Sequence, residues 1–154
     1  MGTHFKGTKQ EINALNVYIK LMRAAESVSS RVHAHTVAKG LTLSQFSILE
    51  ALFHLGPLCQ REIGDKLLKS GGNITLVVDN LEKQGLVKRE RSETDRRYFT
   101  IHLTKDGRAV IEKLFPKHVE AIVEELGVLN EGELAELERM LKIVGKKEKV
   151  LNQD

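Results

Sequence analysis

Between Lys9 and Lys39 the chain carries neither proline nor glycine, and Ile12, Leu15, Ile19, Met22, Val28 and Val32 recur at helical spacing. The pattern predicts one long first helix, stopped by Gly40. Thr42 and Gln45 then form a capping box flanked by Leu41 and Phe46, and the helix they open turns Phe46, Leu49, Leu52 and Phe53 inward before Gly56-Pro57. A third helix is expected from Cys59, with Glu62 in the box position and Leu58 and Ile63 as its apolar staple, running through Leu67. Ser70 caps a fourth, in which Ile74, Val77, Val78 and Leu81 share a face and Gly85 marks the end.

The period then changes from helical to alternating. Leu86 to Arg91 and Tyr98 to Leu103 read as two short strands. In the second, Phe99, Ile101 and Leu103 point one way and Tyr98, Thr100 and His102 the other. The polar run Ser92 to Arg97 joins them as a hairpin tip. Thr104 caps a fifth helix carrying Val110, Leu114, Val119, Ile122, Val123 and Leu126, with Pro116 expected to bend it. Asn130 and Glu133, stapled by Leu129 and Leu134, open a sixth through Leu137, Leu141 and Val144, and the Lys-rich end is expected to fray.

The predicted fold is therefore mainly α with a two-stranded β wing. It divides into an N-terminal dimerisation helix (1–40), a winged helix-turn-helix (41–104), C-terminal dimerisation helices (105–146) and a flexible tail (147–154). The apolar stripes on the terminal helices are expected to close on each other and on a second subunit. The competing arrangement is a monomeric helical bundle.

Composition changes this picture little. A formal charge of +3 fits a nucleic-acid partner without requiring one. A single cysteine excludes an intrachain disulfide framework and suits a reducing cytoplasm, and no apolar run is long enough for a bilayer. There is no P-loop, nucleophile elbow, dinucleotide fingerprint or zinc-protease pair, so neither an enzyme nor a bound cofactor is expected. His33 and His35 are two residues apart and should point apart on a helix, which leaves no metal site in view.

Where the charge sits is more informative. With its apolar face accounted for, the fourth helix presents Gly72, Asn73, Leu76, Asp79, Asn80 and Lys83 outward, with Thr75 at the edge. Asn can pair with adenine and Thr can meet a thymine methyl in the major groove. Ser70, Gly71 and Gly72 leave backbone N–H groups open at the positive end of the helix dipole, where phosphate binds. Two glycines in a first turn cost about 1 kcal/mol each relative to Ala, which points to something approaching closely. On the hairpin, Lys88, Arg89 and Arg91 line the first strand and Arg96 and Arg97 the tip, with Asp95 placed to orient Arg97 for a narrow minor groove.

The stretch from Leu67 to Thr104, with LEKQGLV closing the fourth helix, DRR at Asp95–Arg97 and LTKDG entering the fifth, resembles the multiple-antibiotic-resistance regulator (MarR) family of transcription regulators. The resemblance implies a homodimer built by the first, fifth and sixth helices that binds palindromic double-stranded DNA, usually as a repressor. It implies a recognition helix spanning Ser70 to Lys83, and a wing in which Asp95 pairs with an inserted Arg97. It also implies an effector cleft between the dimerisation helices and the DNA-binding lobe, where His33, Phe53, His54, Phe115 and His118 are expected, for a small aromatic or phenolic molecule. The LFPKH stretch, Leu114 to His118, resembles the branch that responds to quinones and catechols. Two alternatives stay open: a winged helix used for protein contact, and a thiol switch at Cys59, whose position at a helix N-terminus can activate the thiol but equally suits a buried filler.

Overall fold

The computed structural model describes residues 2–37, 39–67, 71–92, 94–95 and 97–146; Ser70, Arg96 and the tail 147–154 lie outside the described residues. The order is α1 (Lys9–Val37), α2 (Leu43–Leu55), β1 (Leu58–Cys59), α3 (Gln60–Leu67), α4 (Gly71–Lys83), β2 (Val87–Arg91), β3 (Phe99–Leu103), α5 (Lys105–Leu126) and α6 (Glu131–Lys146). Helix α5 is continuous through Pro116.

Among the described residues, the caps at Thr42, Thr104 and Asn130 are built as expected. The Thr42 side chain accepts from the Gln45 backbone N–H at 3.2 Å, and the Gln45 side chain accepts from the Thr42 backbone N–H at 2.9 Å. Asn130 and Glu133 make the same reciprocal pair at 3.0 and 2.9 Å. Gly85, at φ +71°, closes α4 in a conformation that only glycine adopts without cost, and the Leu86 N–H returns to the Leu81 carbonyl.

The sheet differs from expectation. It has three antiparallel strands, ordered β1-β3-β2, with Leu58 opposite Ile101 and Cys59 opposite Thr100. Helix α3 begins at Gln60, with Cys59 in the N-cap position read from the sequence. Cys59 serves both elements: its N–H donates to Glu62 Oε2 at 2.7 Å, the α3 capping contact, while its residue pair belongs to the sheet. A two-residue strand carries no periodicity, and only its pairing with β3 defines it.

The core lies under the central module. Phe46, Ile48, Leu49, Ile63, Val78, Leu81, Ile101 and Ile111 are fully buried, drawing α2, α3, α4, β3 and α5 into one cluster. Helix α5 packs against α1 and α2, so the long helices are anchored to the lobe that carries α4 and the hairpin. The junction is tight at Gly107. Thr104 donates through its N–H to the Leu86 carbonyl at 3.1 Å and through its hydroxyl to the Gly85 carbonyl at 2.6 Å. A Cβ on Gly107 would stand 1.9 Å from the Leu86 carbonyl oxygen. Helix α6, by contrast, buries none of its residues.

Candidate nucleic-acid interface

Helix α4 is anchored through Ile74, Val78 and Leu81, with Val77 half-buried beside them. The opposite face then carries Asn73, Thr75, Leu76, Asn80 and Lys83, all exposed. Leu76 is 61% exposed, an apolar side chain in water on an otherwise amide and hydroxyl face. Gly71 and Gly72 begin the helix.

Asp79 and Arg89 belong to a network that sequence reasoning missed. Arg89, on β2, donates to Asp79 Oδ1 at 2.5 Å and to Glu82 Oε2 at 2.6 Å, and its backbone N–H reaches Glu82 Oε1 at 3.1 Å. It also approaches Gln60 Oε1 at 3.5 Å, and the Gln60 amide donates to Thr75 Oγ1 at 2.7 Å. One guanidinium therefore joins the wing to α4, with Gln60 linking both to the start of α3. Arg89 is mostly shielded, its side chain 21% exposed. Asp79 and Glu82 lie one helical turn apart, a spacing that could have suggested a shared cation, but nothing local names Arg89 as that cation.

At the hairpin tip Arg97 is held as the sequence predicts. Its Nε and Nη2 donate to the two Asp95 oxygens at 3.1 and 2.9 Å, and its backbone N–H donates to Oδ1 at 3.0 Å. These side-chain bonds, then the backbone one, hold the Asp95 carboxyl below its ordinary pKa. Such a fork pre-orients a charge that still faces solvent: the Arg97 side chain is 84% exposed. Arg91 stands 5.4 Å over the ring of Phe99, its cross-strand partner. Tyr98 and Phe99 are both exposed beside it.

The five residues expected at an effector cleft form one chain of rings. His33 lies 5.0 Å from His118, His118 6.2 Å from Phe115, Phe115 4.5 Å from His54 and 6.5 Å from Phe53. Two further members were not anticipated. Phe46 is 4.7 Å from His118, and His35 is 5.7 Å from it. His33 and His35 thus converge on one ring instead of pointing apart. The His33 Nδ1–H donates to the Ser29 carbonyl at 2.8 Å, because a carbonyl can only accept. Among the described residues, His118 Nδ1 and His35 Nε2 are buried with no hydrogen-bond partner. Burial above all, and then His33 and His35, push the His118 pKa down to about 4. Among the described residues no group of three or more His, Cys, Asp or Glu is arranged to hold a metal ion.

The MarR family profile matches residues 41–99, the span from the start of the α2 cap to β3. The HTH-type transcriptional regulator MhqR of Bacillus subtilis is 39% identical over 132 residues, covering 86% of this chain and 91% of the relative. The chain belongs to the MarR family. Among solved structures, BpsR of Bordetella bronchiseptica, described with regulation of its DNA binding by 6-hydroxynicotinic acid, superposes with a TM-score of 0.75 at 25% identity, covering 84% of this chain and 98% of BpsR. AbsC, a MarR family transcriptional regulator of Streptomyces coelicolor, gives a TM-score of 0.82 at 20% identity over 93% of this chain and 97% of AbsC, and so supports the fold.

This MarR-family chain is a DNA-binding transcription regulator and not an enzyme. The protein-contact and thiol-switch alternatives are not favoured. No helix among the described residues is long and apolar enough to cross a membrane.

Proposed function

We propose that this regulator acts as a homodimer in the cytoplasm, binds a palindromic duplex in sequence-specific fashion, and represses nearby genes until a small aromatic or phenolic effector releases it. In this reading the α4 face formed by Asn73, Thr75, Leu76, Asn80 and Lys83 enters the major groove, with Ser70, Gly71 and Gly72 at phosphate. The wing tip, Arg97 with Arg96, and Arg91 on its strand, meet the flanking minor groove and backbone. Asp79 and Arg89 brace the two parts rather than read bases. The observation that carries the proposal is the bidentate Asp95–Arg97 fork standing exposed at the wing beside a polar α4 face.

The second subunit is supported by unpartnered apolar surface. Val17, Tyr18 and Met22 on α1, Val119 and Val123 on α5, and Met140, Leu141 and Val144 on α6 are exposed. Apolar side chains exposed on all three long helices are the surface that a helix-to-helix contact with a second subunit would cover. For the effector, His33, Phe53, His54, Phe115 and His118 are the proposed contacts. They bridge α1, α2 and α5, so a molecule separating the rings would change how the DNA-binding lobe sits on the dimerisation helices. Regulation of BpsR by a small aromatic acid gives that reading a precedent.

Selection of bound sequences from a random duplex pool, followed by a salt titration of the winner, tests the proposal. An enriched palindrome with half-sites about one helical turn (~34 Å) apart and a steep salt slope is the expected result. Absence of enrichment would overturn operator binding by the ligand-free dimer.

A further inference from the structure

Gln60, the first residue of α3, connects the wing to the exposed face of α4. The Arg89 guanidinium approaches its Oε1 at 3.5 Å, and its Nε2 donates to Thr75 Oγ1 at 2.7 Å. Arginine has donors and no acceptor, so the carbonyl end of the Gln60 amide faces Arg89 and the NH2 end is left for Thr75. Arg89 is itself held by Asp79 and Glu82. The amide is thus oriented from the wing, and it acts on a side chain of α4.

That action has a conformational consequence. Threonine in a helix divides between two χ1 rotamers, whereas valine keeps one in about 90% of cases. A donor fixed on α3 favours the rotamer that turns the Thr75 oxygen toward it. Both groups sit on the same Cβ, so fixing the oxygen fixes the methyl as well. The distinction matters for readout. A hydroxyl bonds to either kind of base edge, while a methyl selects the C5-methyl of thymine.

We propose that Gln60 is a positioning residue for base readout, holding the Thr75 side chain so that its methyl meets the C5-methyl of a thymine in the major groove. The inference deepens the operator reading and rests on it for the thymine contact, though not for the lock. Gln60 itself touches no base. With Oγ1 turned to α3, the methyl is the group that exposed Thr75 offers outward, next to exposed Leu76.

The test uses the duplex selected from the random pool, with its thymines replaced one at a time by deoxyuridine, which removes only the C5-methyl. One replacement in each half-site should weaken binding about fourfold, the worth of one methyl taken out of water. Thr75→Ser keeps the hydroxyl and loses the methyl, so it should bind both duplexes alike. Gln60→Ala should lower the ratio to about twofold, because only half of the released rotamers are competent. Thr75→Val sets its own rotamer, so adding Gln60→Ala to it should change the ratio no further. A ratio of two duplexes on one protein does not move with stability.

Indifference of the parent to every replacement, discrimination kept by Thr75→Ser, or a parental ratio in Gln60→Ala would overturn the proposal. So would an equal fall in the Thr75→Val background, which would put Gln60 on the base. NMR three-bond couplings to the Thr75 methyl in the free full chain test the lock without DNA. One rotamer is expected in the parent and averaging in Gln60→Ala; averaging in both would overturn the lock. One rotamer in protein that enriches no duplex would support the lock while sinking the operator reading and the thymine contact with it.

Discussion

Arg89 on the first wing strand lies 2.5 Å from a carboxylate oxygen of Asp79 on α4, and the same guanidinium reaches Glu82 at 2.6 Å. One guanidinium thereby bonds both carboxylates of α4, offsetting one of their two negative charges, and ties the wing to that helix. Arg89→Ala should lower operator affinity at least about tenfold although Arg89 is not proposed to touch DNA, because it unmasks both carboxylates. Stability should change little, since half-exposed ion pairs contribute about 0–1 kcal/mol. Adding Asp79→Asn and Glu82→Gln to Arg89→Ala should restore much of the affinity in a gel-shift titration. If the triple variant binds no better than Arg89→Ala, charge masking is the wrong account.

The Asp95–Arg97 fork separates positioning from contact. Arg97→Ala should weaken binding across all duplexes and reduce the salt slope by about one, the loss of one phosphate-region cation. Asp95→Asn keeps that cation but removes half of its holder, so it should leave the salt slope nearly intact while relaxing preference for a narrow minor groove at the flanks. Salt titrations on operators with A-tract and G·C flanks distinguish these outcomes. Equal salt slopes for Arg97→Ala and the parent would remove Arg97 from the interface.

The elements visible in the sequence were those specified by neighbours along the chain. The Thr42–Gln45 box, the αL stop at Gly85 and the Asp95–Arg97 pair each span four residues or fewer, so composition and spacing reveal them. What stayed hidden depends on contacts between distant segments. β1 exists because Leu58 meets Ile101, and Arg89 matters because α4 brings Asp79 and Glu82 beneath it. The ring cluster was half legible. His33, Phe53, His54, Phe115 and His118 do come together, whereas His35 and Phe46 enter only through packing of α1 and α2 against α5.

Asn73 is the position where base preference and affinity should part. It is exposed in the first turn of α4, and an amide there can pair with adenine N6 and N7. Asn73→Ala should cost about 1–3 kcal/mol on the selected operator and much less on random duplex. Repeating the pool selection with the variant should relax one position in each half-site. An unchanged consensus would place the amide outside the groove.

Gly107 tests whether the junction between lobe and long helix is as rigid as its contacts imply. Because a Cβ there meets backbone rather than a movable side chain, Gly107→Ala should destabilise by about 1–3 kcal/mol despite Ala's better helix propensity. Gly145, the last residue but one of α6 with open space around it, is the control, and Ala there should be neutral or stabilise by up to about 0.5 kcal/mol, less than in a helix middle. Urea melts of both variants decide the matter. Stabilisation at both sites would mean that the Leu86 turn yields freely.

His118 gives the fold a pH dependence of definite sign. Its imidazole titrates near 6.5 when unfolded but is held down at about 4 in the fold, by burial first and by His33 and His35 second. Between those values the unfolded chain binds the extra proton, so stability is whole above pH 6.5, falls as pH drops through the window and has lost this contribution below about 4. His118→Leu removes the titrating group and one orphaned buried nitrogen while keeping an apolar side chain against Phe46, so its Tm should vary less between pH 7 and pH 4.5 than the parent's. Carboxylates such as Asp95 and Glu125, also held below their ordinary range by arginine partners, lose protein stability in acid as well, but equally in both proteins. The difference between the two Tm–pH curves therefore isolates the imidazole. Parallel curves would mean that His118 gains its proton in the folded protein as readily as in the unfolded chain.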